Sequence, residues 1–94
     1  MNIRRLLLDV DKAVERPSVL EIAEVIEKVP GVDGANITVN DIDAETIGME
    51  ITVEGEHIDY SELEEAITKV GAALHSVDEV VVGNRTVEHV PRSR

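Results

Sequence analysis

Apolar and polar positions alternate in four short stretches of this chain and follow a helical period in two others. Residues 3–11 hold Ile3, Leu6, Leu7, Leu8 and Val10, with Asp9 and Asp11 closing the run. Apolar residues on both parities predict a strand covered on one face and partly on the other. A polar connection over 12–17 ends at Pro17. Ser18 with Glu21 three positions later forms a capping box, in which each side chain satisfies a backbone N–H left free at a helix start. Beyond it, Val19, Leu20, Ile22, Ala23, Ile26 and Val29 predict one broad buried face. Glu21, Glu24, Glu27 and Lys28 point to water, and Pro30-Gly31 stops the helix.

Ala35, Ile37 and Val39 alternate with Asn36, Thr38 and Asn40, which predicts a half-buried strand. A polar hairpin over 40–46 follows. Then Ile47, Met49, Ile51 and Val53 point inward, with Glu50, Thr52 and Glu54 outward. Asp59 with Glu62, or Ser61 with Glu64, caps a second helix whose buried stripe is Leu63, Ala66, Ile67, Val70 and Leu74. Gly71 in that stretch costs about 1 kcal/mol relative to alanine, and marks a close helix–sheet approach or an early helix end. Val80, Val81 and Val82 form the last strand, which closes at Gly83-Asn84.

The order strand, helix, strand, strand, helix, strand predicts an α+β, ferredoxin-like βαββαβ two-layer sandwich. It forms a single domain over residues 1–90 with a frayed tail at 91–94. Right-handed crossovers put the first and third strands side by side and parallel, with the second and fourth outside them. The antiparallel sheet then has the order 4-1-3-2, with both helices on one face. The other face is bare, and binding or assembly is expected there.

Composition narrows the possible functions. Ninety-four residues supply one core. With no Phe, no Trp and Tyr60 as the single aromatic, that core consists of Ile, Val and Leu. Twenty acidic residues against nine basic ones give a net charge of −11, which repels nucleic acid phosphates and anionic membranes. Stacking aromatics for single strands are missing as well. Neither nucleic acid nor membrane is expected as a partner. An acidic, lysine-poor surface is solvated, and it also suits a salt-rich cytoplasm. The absence of cysteine excludes disulfides, iron–sulfur clusters, thiolate zinc sites and a cysteine nucleophile. The first apolar run stops after three leucines, too short for a signal peptide or a membrane span, so a cytoplasmic location is expected.

No Cys-x-x-Cys follows the first strand, no aromatics mark the central strands, and no glycine precedes Gly31 to cradle a phosphate. Ser18, Ser61, Ser76 and Ser93 lie in cap, turn or tail contexts, none in a nucleophile elbow. No catalytic residue is assigned, and no enzymatic activity is expected. Asp9 and Asp11 come together with Asp78 and Glu79 of the segment His75-Ser76-Val77-Asp78-Glu79, Asp9, Asp11 and Glu79 sharing the parity of the bare face. Crowded carboxylates repel one another, and Ca²⁺ or Mg²⁺ would relieve that with oxygen ligands alone. A metal-dependent enzyme with His75 as base is the alternative built on the same cluster. The plainer reading has Asp78 capping a turn, Glu79 solvated and His75 at a helix end.

Asp41-x-Asp43-x-Glu45 resembles the start of a calcium loop, but Thr46 stands where glycine is needed and Thr52 where the bidentate glutamate belongs. These carboxylates are otherwise solvated, or meet Arg4, Arg5 or Arg85, which this fold is expected to put at the same end of the sheet. Leu7 and Val81, neighbours on the bare face, and Ile42 in the hairpin point to a homo-oligomer interface. His57 and His89 are isolated, in turn and tail. A small ligand at subunit boundaries, or a protein partner taken up along an outer strand, remains open.

Three segments carry a resemblance. Pro30-Gly31-Val32-Asp33-Gly34-Ala35-Asn36-Ile37, Asp41-Ile42-Asp43-Ala44-Glu45-Thr46 with Val53-Glu54-Gly55, and His75-Ser76-Val77-Asp78-Glu79-Val80 with Gly83 resemble a family of small archaeal proteins of unknown function. The similarity covers residues 3–90. It implies a ferredoxin-like, cytoplasmic, oligomeric protein, a ring being one form of assembly it leaves open, with no activity or cofactor to carry over.

Overall fold

Alternation along the first strand organises the molecule, because from Arg5 onward its even-numbered residues face one way and its odd-numbered ones the other, while a register shift between Ile3 and Arg5 leaves Ile3 in the core. In the computed structural model, which describes residues 1–93, strand β1 (Ile3–Ala13) is followed by α1 (Val19–Glu27), β2 (Val32–Ile42), β3 (Thr46–Gly55), α2 (Tyr60–Val70) and β4 (Ala73–Val82). The sheet order is β2-β3-β1-β4, the expected ferredoxin-like arrangement. Leu6, Leu8 and Val10 of β1 and Met49, Ile51 and Val53 of β3 are fully buried against Ile22 and Ile26 of α1 and Leu63 and Ile67 of α2.

The central pair differs from the expectation in direction. β1 and β3 run antiparallel, with Leu7 opposite Thr52 and Ala13 opposite Thr46. A right-handed crossover makes β1 parallel to β2, and the hairpin then reverses the chain to insert β3 between them.

Element ends moved where local geometry overrode composition. Ser18 caps α1 in the predicted capping box, and of the two candidates for α2 it is Asp59 that accepts the Glu62 N–H, at 3.0 Å. Gly71 adopts φ 104°, a left-handed cap whose N–H reaches the carbonyls of Ile67 and Thr68, so α2 stops at Val70. Leu74 therefore packs on the core from β4, and His75 lies in a strand instead of closing a helix. β1 continues through Lys12, which is buried with its Nζ donating to the carbonyls of Ala13 at 2.9 Å and Val14 at 3.1 Å. β2 and β3 are also longer than predicted, leaving a hairpin loop of residues 43–45. Gly55 stands where β3 leaves the sheet, and a Cβ there would strike the carbonyl oxygen of Gly31.

Leu20 does not join the buried face of α1; it is 81% exposed. At 100° per residue it sits roughly 160° around the helix from Ile22, and Val25 packs against the core in its stead. The helix side of both edge strands is likewise uncovered: Val39 on β2 and Val80 and Val82 on β4 are exposed although their strand partners Met49, Leu6 and Ile3 lie in the core, and Ile42 is exposed opposite the partly buried Ile47. Residues 91–93 are exposed without regular structure, and Arg94, the last residue of the expected frayed tail, lies outside the described residues.

These placements separate two leucines. Leu63→Ala is expected to lower stability by about 2–5 kcal/mol in urea denaturation, whereas Leu20→Ala stays within about 0.5 kcal/mol of the parent. Equal losses would contradict the burial pattern.

Candidate functional site

The odd residues of β1, Arg5, Leu7, Asp9 and Asp11, line the face that carries no helix. Beside them stand Gly48, Glu50, Thr52 and Glu54 of β3, and Ser76, Glu79 and Val81 of β4. Asp9, Asp11 and Glu79 thus project from the open face, as expected. Its two ends differ in chemistry.

At the first end, Arg5 gathers three carboxylates. Its Nε donates to Glu54 at 2.8 Å, and its two terminal nitrogens donate to Glu88 at 2.9 and 3.1 Å. Glu79 lies 3.7 Å away. Arg4 pairs with Glu56 at 3.2 Å. Hydrogen bonding to Glu88 and Glu54 raises the Arg5 pKa further above its ordinary value, and the Arg5 guanidinium holds Glu88 below the usual carboxylate range. Glu88 belongs to the tail, so this fork fastens residues after β4 onto the sheet. Val81, the register partner of Arg5, is consequently only 5% exposed. It lines a groove with Val87 and Val90 of the tail and is not the open oligomer contact expected of it.

At the second end, residues from two separately predicted clusters approach each other. Asp11 and Asp41 flank Gly48. The Oδ1 atoms of Asp11 and Asn40 and the Cβ of Asp41 all lie 3.4 Å from the place where a Cβ on Gly48 would stand. The missing side chain keeps a small oxygen-lined gap open. His75 Nε2 sits 2.8 Å from Asp11 Oδ2, and Asn40 donates to Glu50 at 3.4 Å.

The other candidates are dispersed. Asp78 accepts from the Ser76 hydroxyl at 2.8 Å, and Glu79 leans toward Arg5. Asp43 staples the hairpin, its Oδ1 accepting from the N–H groups of Glu45 at 2.9 Å and Thr46 at 3.0 Å, and these bonds lower its pKa. Glu45 is exposed, and its carbonyl receives the Val14 N–H at 3.2 Å. Arg4 and Arg5 do not meet the hairpin. They lie at the opposite end of β1, roughly 25 Å away at 3.3 Å per residue, because Ala13, not Arg4, faces Thr46. Leu7 is half-buried on the open face, while Ile42 lies on the other side of the sheet, opposite Ile47. Among the described residues, no three His, Asp or Glu side chains converge to hold a metal ion.

Sequence reasoning missed Arg5, Glu88, Asn40 and Gly48 as parts of this face. The available signal for a tail that meets the sheet was Glu88 itself, a lone carboxylate in an otherwise basic C-terminal stretch. Nothing local marked Gly48, which matters only through what β1 and β2 place beside it.

A four-stranded antiparallel sheet with two helices on one side defines the class, a ferredoxin-like α+β sandwich. Within it, the chain belongs to the DUF211 family, described as uncharacterized ArCR, whose model matches residues 4–94. It is similar to an uncharacterized protein of Methanocaldococcus jannaschii, with 41% identity over 89 residues that span 95% of this chain and 91% of the relative. Among the described residues, no helix is long and apolar enough to cross a membrane.

The Arg5 fork yields a pH-dependent expectation. Because pairing lowers the Glu88 pKa, the anchor is in place at neutral pH and is lost as pH falls through that depressed value. Glu88→Gln should release the tail at pH 8, so trypsin should cut after Arg85 several-fold faster than in the parent. Equal cleavage rates would mean that something other than the fork holds the tail.

Proposed function

We propose that this protein is a non-enzymatic, self-associating domain of the cytoplasm with a regulatory or scaffolding role. One observation carries the reading: the helix layer is shorter than the sheet beneath it, so both edge strands turn apolar side chains to water on their sheet-packing side. Ile42 is 71% exposed and Val80 53%. Several large aliphatic side chains left in water along a sheet margin point to contact sites in soluble proteins. The edges themselves support the reading too. β2 and β4 are eleven and ten residues long and contain neither proline nor lysine, two common means of blunting an edge against pairing.

Light scattering coupled to size-exclusion chromatography of the full chain tests this. A mass at an integer multiple of 10.3 kDa is expected, persisting at high salt because apolar contact is not screened. A monomer at every concentration would end the proposal.

A second reading rests on the gap over Gly48. Asp11, Asp41 and the amide oxygen of Asn40 offer hard oxygen donors on an acidic face, chemistry suited to a hydrated Ca²⁺ or Mg²⁺. Calorimetric titration with CaCl₂ or MgCl₂ should then show saturable uptake, reduced at least tenfold by Asp11→Asn. Uptake indifferent to that substitution would reduce it to diffuse attraction by the net charge.

A further inference from the structure

The charge of this chain is unevenly placed. Residues 83–94 carry Arg85, Arg92 and Arg94 against Glu88, a net +2, whereas residues 1–82 carry six basic and nineteen acidic residues, a net −13. The tail is the one basic stretch of an acidic protein. Its anchor at Arg5 uses Glu88 and leaves its valines largely uncovered: Val87 is 63% exposed and Val90 82%. The segment is therefore tied to the sheet while most of its valine surface stays in water, at the rim of the groove it forms with Val81.

The complementary surface lies elsewhere on the same chain. Between α1 and the edge strand β2 runs an open groove of about 600 Å³ with Leu20, Ala23, Ala35 and Ile37 among its lining residues and the carboxylates of Glu24, Glu27 and Asp33 around it. Leu20 is the clearest sign that this groove lacks its occupant, since it is a leucine on a helix with 81% of its surface in water. The tail fits the groove in both respects, with valines for the apolar floor and arginines for the acidic rim. A chain cannot readily fill its own groove. The tail is pinned on the open face beside β4, and the groove borders the opposite edge strand on the helix side.

We propose that the C-terminal segment of one copy, through Val87, Val90 and Arg92, docks in the α1–β2 groove of a second copy. This rests on the self-association reading and names its contact. The contact is heterologous, with different surfaces meeting, so each copy keeps one free groove and one free tail for the next.

Heterologous contacts can be tested by complementation between full-length variants. Leu20→Asp spoils only the groove, and a Val87→Asp/Val90→Asp double variant spoils only the tail. All three positions are exposed, so far-UV circular dichroism spectra should match the parent and any fall in melting temperature should be no more than loss of association accounts for. Each variant alone is expected to run as a 10.3 kDa monomer in light scattering, with association weakened at least tenfold. An equimolar mixture should yield a dimer, since one intact groove and one intact tail remain. Variants that assemble like the parent, or monomeric variants that stay monomeric when mixed, would overturn the docking while leaving self-association standing. A monomeric parent chain would remove self-association itself, and the docking with it.

Discussion

A helix advances about 1.5 Å per residue and a strand more than twice that. Here helices of nine and eleven residues lie across strands of ten and eleven. The mismatch governs the rest of the structure. The helix layer seals the middle of β1 and β3, where Leu8, Val10, Met49 and Ile51 are fully buried, and runs out before it reaches the edges. The result is a thin slab, 39 × 38 × 17 Å, with a tight aliphatic centre and apolar margins. Without Phe or Trp to span a thicker interior, that centre depends on close packing of Ile, Leu and Val, each of which contributes through the area it withdraws from water.

The open face obeys a different constraint. With acidic residues crowding three of its strands, the few cations available decide what is held. Arg5 is placed to pair with Glu54, Glu79 and Glu88 at once, and its bidentate pairing with Glu88 has a fixed geometry that a lysine could not reproduce. Individual surface ion pairs contribute little. This one matters because of what it attaches: a tail that lies beside Val81 and keeps much of its own valine surface in water. At the far end of the same face no comparable cation stands among the described residues. Asp11 is steadied by His75, and Asp41 approaches across the gap over Gly48.

Much of the fold was legible in the residues because it depends on local periodicity. The alternation of Ile47, Met49, Ile51 and Val53, the capping box of Ser18 and Glu21 and the stripe of Leu63, Ala66, Ile67 and Val70 each have short-range causes, and each element appeared where those causes put it. Misplaced ends had causes of the same kind seen from the wrong side. Gly71 could permit close packing or end the helix, and its left-handed φ, which composition does not report, ended it. Leu20 is apolar but lies roughly 160° around the helix from Ile22, so the broad apolar face read from residue type alone was too wide.

Sequence by itself settled the element order, the aliphatic core, the acidic surface and the exclusion of cysteine-based chemistry, because all of these follow from residue type and spacing within a few turns or one strand. Tertiary structure alone decided which charges meet. Arg5 and Glu88 are separated by most of the chain, and so are Asp11 and His75; their pairing follows from strand register and the path of the chain after β4. Register is fixed by the burial of an entire strand face at once, so no local pattern could have announced that the arginines belong with the tail and not with the hairpin.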